Sequence, residues 1–404
     1  MEKYRVFGDE STGVHPFIPV AYMKAQLSPP PASLVSRLLS AGASLFSLAF
    51  TSLLVTVRLL LLLFAALWAI LLQQTLLVFS PFPSLHWRLS LSLLAPPARL
   101  ALFALGVWWI DEQPADFRRL KIRAPSPNAP APWSAFLSLS APPRSSASAA
   151  RIGSCRVCLS SFTSLVEPLY LSYRLSPQFV LLHEEGGFSF CSPWAVLKFS
   201  MQFRLAPGKG AFRSLSALML AHEKNSSPRI PVVIFPEGQK SNGTCILQWT
   251  AAEGNAGRED REKVDSGFDA AALHALDGCI AEVGCLYTSL LAGGKAGSPS
   301  RAVPYGLPHT VHAPLDHLRR VLAEKAHGVS AVWAAPAAVQ ASVQQQLLQS
   351  RGVCTPASVL DCLREVMIRM LPGVTGVQSK GGADLCAFNA YWGKTQKEQY
   401  LKNR

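Results

Sequence analysis

Residues 230–244 read IPVVIFPEGQKSNGT. Within them a wholly apolar run, Val232-Val233-Ile234-Phe235, is stopped by Pro236 and Gly238. A short run of β-branched and aromatic residues bounded by Pro and Gly has the pattern of a strand buried on both faces of a sheet. Glu237 and Gly238 then stand just past the strand's carboxyl end, and Lys240, Ser241, Asn242 and Gly243 follow in a tight turn. Open α/β sheets bind ligands outside the carboxyl ends of their strands. Glycine lets backbone approach a ligand closely, Lys240 offers a compact cation for a phosphate, and Glu237 can accept a hydrogen bond from a hydroxyl. Glu237, Gly238, Lys240 and Ser241 are therefore the candidate binding residues. The plainer alternative is a turn with solvated ends.

Outward from this strand, short strands alternate with helical patterns. Arg156–Leu159 and Gln178–Leu182 read as strands, Ser164–Leu175 as a helix between them, and a helical stretch is expected around Pro193–Phe203. Ala281–Leu291 is another strand, and Pro314–Ala326 and Pro356–Leu371 have helical apolar spacing. That alternation predicts an α/β fold class for residues 111–330, with a helical C-terminal extension at 331–404. Residues 109–123 read as a strand entering the domain. Residues 124–150 hold six prolines, seven serines and one charge, Arg144, and are expected to form a disordered insert. Thr250–Ser266 reads as a solvated loop.

The chain has 404 residues, 49% hydrophobic and only 16% charged, with a mean hydropathy of +0.22. The apolar excess is concentrated: from Leu38 to Phe79 the sole formal charge is Arg58. A wholly soluble protein is excluded as the first expectation. A bilayer core of ~30 Å takes ~20 apolar helical residues, so the stretch is too long for one straight crossing. Either it breaks near Ser52–Arg58 and re-enters, or one half lies along the interface. A second run, Leu89–Ile110, is interrupted by Pro96, Pro97 and Arg99 and ends in Trp108-Trp109, residues suited to headgroup depth. Residues 38–110 are thus expected to be a membrane anchor, in hairpin form, following a cytosolic leader at 1–37. Such a stretch lies too far from the N-terminus and runs too long for a cleaved signal peptide. Lys24 and Arg37 precede it and Arg118, Arg119, Lys121 and Arg123 follow it, which places both flanks in the cytosol.

The net charge of +13 suits attraction to anionic headgroups. Nucleic acid is not an expected partner, because no basic cluster is interleaved with aromatics. Nine cysteines are scattered, and Cys155-x-x-Cys158 has no second pair at zinc spacing. Free thiols and no metal are the expectation.

The segment FPEGQKSNG resembles the FPEG block of the glycerolipid (lysophospholipid) acyltransferase family. Roughly 70 residues upstream, SSFTSLVEPLYLSYRLSP at 160–177 fits that family's NHTSxxDPLYL frame at Thr163, Ser164, Pro168, Leu169, Tyr170 and Leu171. The N-terminal MEKYRVFGDESTGVHPFIP resembles a fungal branch of the family that acts at the endoplasmic reticulum and lipid droplets. The resemblance implies a glycerolipid acyltransferase-like domain that acylates lysophosphatidic acid to phosphatidic acid from acyl-CoA. Acyl-CoA would be a substrate, with no tightly bound cofactor, and membrane lipids would be the other partners. It further implies that Glu237, Gly238, Lys240 and Ser241 bind the acceptor.

One departure bears on catalysis. The family's general-base His falls at Phe162 here, and its orienting Asp falls at Glu167. A phenyl ring cannot take a proton, and general-base catalysis is worth typically ~10²–10⁴-fold. Glu167 is a longer substitute for the Asp, but Ser164-x-x-Glu167 is also a capping box. His183 is the alternative base; its plainer reading is a structural histidine. Arg204 is the only counterpart offered for the family's second block, and His309 and His312 read as solvated turn residues. The implied function therefore has a rival: a catalytically inactive acyltransferase-like protein that binds lipid or acyl-CoA.

Overall fold

The computed structural model of the chain describes residues 6–9, 11–12, 14–17, 34–116, 118–120, 155–183, 187–200, 208–212, 215–225, 230–238, 240–241, 243, 245–249, 283–292, 314–323, 327–349, 356–370, 374–381, 384, 387–388, 390–391 and 394. The insert at 124–150, the loop at 250–266, Arg204, His309, His312 and most of the leader and basic tail lie outside these residues.

The strands are β1 (Val107–Pro114), β2 (Val157–Ser160), β3 (Gln178–Leu182), β4 (Phe188–Cys191), β5 (Val232–Ile234), β6 (Cys245–Gln248), β7 (Val283–Ala292), β8 (His327–Ala334) and β9 (Thr375–Gly381). The helices are α1 (Leu34–Leu76), α2 (Pro83–Leu93), α3 (Ala95–Ala104), α4 (Val166–Leu175), α5 (Pro193–Ser200), α6 (Leu215–Asn225), α7 (Pro314–Ala323), α8 (Pro336–Gln349) and α9 (Pro356–Met370). Seven strands form one mixed sheet in the order β1-β8-β7-β2-β5-β3-β4, while β6 and β9 pair separately. The α/β class read from the sequence is the class observed.

The apolar run at 232–235 folds as expected, because side chains alternate across a strand. Val232 and Ile234 enter the core on one face with Val157, Leu159, Val339 and Leu363. Val233 and Phe235 enter the other face with Phe162, Tyr170, Leu102 and Ala65. Strand β5 pairs in parallel with both β2 and β3, and β2 pairs in parallel with β7. The carboxyl ends of these four strands therefore share one edge of the sheet.

Strands β8 and β1 run the opposite way, since β7 and β8 are antiparallel and β8 and β1 parallel. Their amino ends lie at that same edge, with Val107 and Ala292 both opposite His327. Beyond Leu286, the last partner of β2, strand β7 continues from Tyr287 to Ala292. At ~3.3 Å per residue this makes a ledge of ~20 Å past the end of β2, and Trp108 and Trp109 stand at its tip.

Three expectations are corrected. First, the stretch at 38–79 does not break near Ser52–Arg58: α1 runs unbroken to Leu76 and a 3-10 turn follows at Leu77–Phe79. Arg58 causes no break because its guanidinium is buried and donates to the Leu322 carbonyl at 2.8 Å. Second, 38–110 is not one anchor separate from the domain. The chain does turn back, but α3 buries Pro97, Ala101, Leu102 and Ala104, and Val107 already belongs to the sheet. Prolines at the first turn of α3 suit helix initiation, where no amide partner is missed. Third, the boundary at 330/331 falls inside β8, and Val339, Leu363, Val366 and Met367 of α8 and α9 complete one face of the core. Residues 331–370 are part of the domain, not an extension of it.

Candidate functional site

The loop leaving β2 and the turn leaving β5 meet at the shared sheet edge. The Ser241 amide donates to the Phe162 carbonyl at 3.3 Å. Gly238, at φ 63°, closes the turn by donating its amide to the Phe235 carbonyl at 3.0 Å. Only glycine adopts that backbone without cost. Gly243, at φ 74°, packs near the Thr163 methyl, and its carbonyl accepts a bond from the Tyr287 hydroxyl at 3.1 Å. On the ledge side, the Ser161 amide donates to the Leu286 carbonyl at 3.1 Å, and the Thr288 amide donates to Ser161 Oγ at 3.1 Å.

Phe162 is fully buried. Its ring stacks with Phe199 at 6.1 Å and lies 4.6 Å from the Phe235 ring. Above it sits the Lys240 ammonium, 5.9 Å from the ring centroid. Lys240 is itself wholly buried and donates to the Ser200 carbonyl. Burial pulls its pKa down to about 7, partly opposed by the negative charge of Glu167.

Glu167 carries out the capping role read from Ser164-x-x-Glu167. Its Oε2 accepts from the Ser164 amide at 2.8 Å and the Ser164 hydroxyl at 2.7 Å, and its Oε1 accepts from the Thr163 hydroxyl. Ser164 Oγ accepts in turn from the Val166 amide at 3.1 Å. Burial raises the Glu167 pKa, while these bonds oppose the shift. The carboxylate is committed to opening α4.

Glu237 is buried too. Its Oε2 accepts from the Leu247 amide at 3.0 Å, and its Oε1 accepts no well-formed hydrogen bond among the described residues. Burial pushes its pKa up to about 8; the Leu247 bond, the Arg364 charge and the nearby Phe162 backbone act against that, and Glu167 adds to it. At pH 7 an acid raised to about 8 is mostly protonated and a lysine lowered to about 7 is about half protonated, so burial leaves neither group fully charged.

The turn does not present Glu237 and Lys240 as one open clamp, as the sequence suggested. Lys240 is electrostatically tied to Glu167, and Glu237 to Arg364. Ser241 Oγ donates to the Cys245 carbonyl at 3.0 Å and organises the turn itself. His183 sits past the end of β3, its Nε2 2.6 Å from Ser189 Oγ on β4. The described side-chain partner of His183 is thus on the neighbouring hairpin, while the neighbours of the Phe162 ring are Phe199, Phe235 and Lys240.

Arg364 of α9 was not singled out from the sequence. Its Nε donates to the Leu247 carbonyl at 2.9 Å, and its Nη2 donates to the carbonyls of Ile246, at 3.0 Å, and Val377. It therefore ties β6, β9 and α9 together beside Glu237. The signal in the sequence is weak: Arg364 is one of two arginines, with Arg369, flanking the apolar stripe Val359, Leu363, Val366, Met370. Tyr170, within the upstream block, donates to Glu112 Oε1 at 3.0 Å and accepts from Trp333 Nε1 at 3.3 Å, fixing α4 to β1 and β8. Among the described residues no three His, Cys, Asp or Glu side chains converge to hold a metal ion, and the six cysteines described form no disulfide.

The chain matches no protein-family model, no curated protein and no solved structure.

Proposed function

We propose that this chain is a glycerolipid acyltransferase-like protein of the endoplasmic reticulum or lipid droplet surface, acylating lysophosphatidic acid from acyl-CoA. The observation that carries the reading is the meeting of two sequence blocks. Thr163–Leu171 and Phe235–Ser241 lie far apart in the chain, yet parallel β2 and β5 deliver them to one sheet edge, joined by the Ser241–Phe162 hydrogen bond. That edge is where α/β sheets place their ligands. The acceptor hydroxyl oxygen attacks the thioester carbonyl carbon, the carbon–sulfur bond breaks, and CoA leaves as a thiolate that takes up a proton. With a phenyl ring at the base position, the hydroxyl proton passes to Lys240 in its neutral form, the group lying over that ring. Entry of substrate requires Lys240 and Ser241 to lift off Phe162, because Lys240 and Glu237 are both covered.

A second reading is favoured by one observation: Phe162 is sealed between Phe199 and Phe235. It is a non-catalytic protein that keeps the fold and binds lipid or acyl-CoA. Purified full chain with labelled acyl-CoA and lysophosphatidic acid separates the two, run beside Phe162→His and Glu237→Ala. Product from the wild type, lost in Glu237→Ala, supports acyl transfer. Product from Phe162→His alone overturns it in favour of the binding protein.

A further inference from the structure

We propose that the domain rests on a single leaflet of a phospholipid membrane, with α1 lying in the plane of the interface, its outward face among the acyl chains, and not crossing the bilayer. The proposal stands apart from the acyl-transfer reading and uses a different part of the molecule.

The segment Ala49–Phe79 has the length and apolarity to span a membrane, yet only 11% of its most apolar part is buried. A core helix of a soluble protein would be mostly buried. The buried or half-buried positions form a stripe: Val55, Arg58, Leu62, Ala65, Gln73 and Leu76 recur every three or four residues or multiples of that spacing. Val55, Leu62 and Ala65 join the core cluster under the sheet. Arg58 donates to the Leu322 carbonyl of α7, and Trp194 Nε1 donates to Gln73 Oε1 at 2.8 Å.

From Val55 to Leu76 this stripe is ~32 Å long at 1.5 Å per residue, as long as the ~30 Å hydrocarbon core is thick. A crossing α1 would draw its neighbours into hydrocarbon with it. Those neighbours carry exposed charges, Arg319 on α7 and Lys198 on α5, and open sheet edges that hydrocarbon does not tolerate.

The opposite face of α1 is made of Phe50, Leu53, Leu60, Phe64, Leu67 and Leu71, all exposed. The one charge in the stretch, Arg58, is turned inward. Two exposed threonines return their hydroxyl protons to the helix's own carbonyls, Thr56 to Ser52 at 2.9 Å and Thr75 to Leu72 at 2.8 Å. A face without charge, with both threonine hydroxyls satisfied internally, fits hydrocarbon; a protein partner would meet a polar rim.

The apolar surface continues beyond α1. Val78 and Phe82 are exposed at the elbow, and Trp108 and Trp109 are exposed at the start of β1. Both indoles face outward because β1 is bulged between Val107 and Trp109, and Phe103 packs on Trp108 at 4.8 Å. Indoles settle at headgroup depth, and the net charge of +13 favours anionic lipid. Since Trp108 and Trp109 share the sheet edge with the Phe162 and Glu237 loops, this pose sets the candidate site at the membrane surface.

The test uses the full chain bound to vesicles of phosphatidylcholine and phosphatidic acid. Spin labels on Leu53→Cys, Leu60→Cys, Phe64→Cys and Leu71→Cys, with the unsubstituted chain as background, report depth by their collision with oxygen and a nickel chelate. Four similar, shallow depths are expected. Depths that run through the bilayer midplane between positions 53 and 71 would overturn the proposal. In parallel, Leu60→Asp and Leu67→Asp are each expected to weaken vesicle binding by roughly 10- to 100-fold while the circular dichroism of the domain is kept. Unchanged binding by both folded variants would also overturn it. Neither readout involves turnover, so failure here leaves the acyl-transfer reading untouched, and the reverse holds.

Discussion

Replacing Lys240 by Met is expected to stabilise the protein in acid and to weaken it in base. Met has a similar unbranched length and fills the space over the Phe162 ring without an ammonium. In the folded chain burial lowers the Lys240 pKa from 10.5 to about 7. At ~1.4 kcal/mol per pKa unit, holding the charged form in the fold costs about 5 kcal/mol below pH 7. The sign follows from proton binding: between pH 7 and 10.5 the unfolded chain keeps a proton that the folded chain has released. Wild-type stability at this residue is therefore full above 10.5 and is lost as pH falls toward 7. The substitution also leaves the Ser200 carbonyl without its donor, a loss of ~1–3 kcal/mol. Near pH 6 Lys240→Met should be more stable than wild type by ~2–4 kcal/mol, and above pH 10 less stable by ~1–3 kcal/mol. Urea unfolding of the detergent-solubilised full chain, followed by circular dichroism at several pH values, measures the difference. Taking the difference cancels the opposite dependence from Glu237. A variant destabilised by the same amount at every pH would refute the reasoning, since the ammonium would then not be buried as described.

Glu237→Gln probes the opposite shift. With its pKa raised from 4.5 to about 8, Glu237 favours the fold below pH 4.5 and loses that contribution as pH rises to 8, so the variant should gain on wild type by a few kcal/mol near pH 9 and match it near pH 4 in thermal melts. Glu167→Ala removes the acceptor for Thr163 and for both donors of Ser164. It should cost ~1–3 kcal/mol and shorten the lifetime of amide protons at the start of α4, whereas a Glu167 that merely faces solvent would cost nothing measurable. Arg364→Leu strips three backbone carbonyls of a half-buried donor. Hydrogen exchange should quicken across Cys245–Gln248 and Thr375–Gly381 while β2 and β5 keep their protection, and uniform loss across all four would show instead that the arginine supports the whole fold.

The sequence by itself determined the local units. The 232–235 run could only be a strand covered on both faces, and Pro236 and Gly238 had to end it. Ser164 and Glu167 had to open a helix, because their side chains satisfy amides that no other group in the first turn can reach. The charge-poor stretch from Leu38 to Phe79 had to be apolar and helical, but that it runs as one unbroken helix to Leu76 was settled only by the tertiary structure. What sequence left open was everything set by neighbours distant in the chain. Whether Glu237 and Lys240 face a ligand or each other depends on α5 and α9, which bring the Ser200 carbonyl to one and Arg364 to the other. Burial then holds both side chains near neutrality, a property that exists only once the surrounding atoms have excluded water. Likewise, Arg58 reads as an interruption in an apolar run until α7 supplies the Leu322 carbonyl that accepts its hydrogen bond. Hydrophobic periodicity is written in adjacent residues, but which of two apolar faces meets protein is decided by the sheet that the rest of the chain builds.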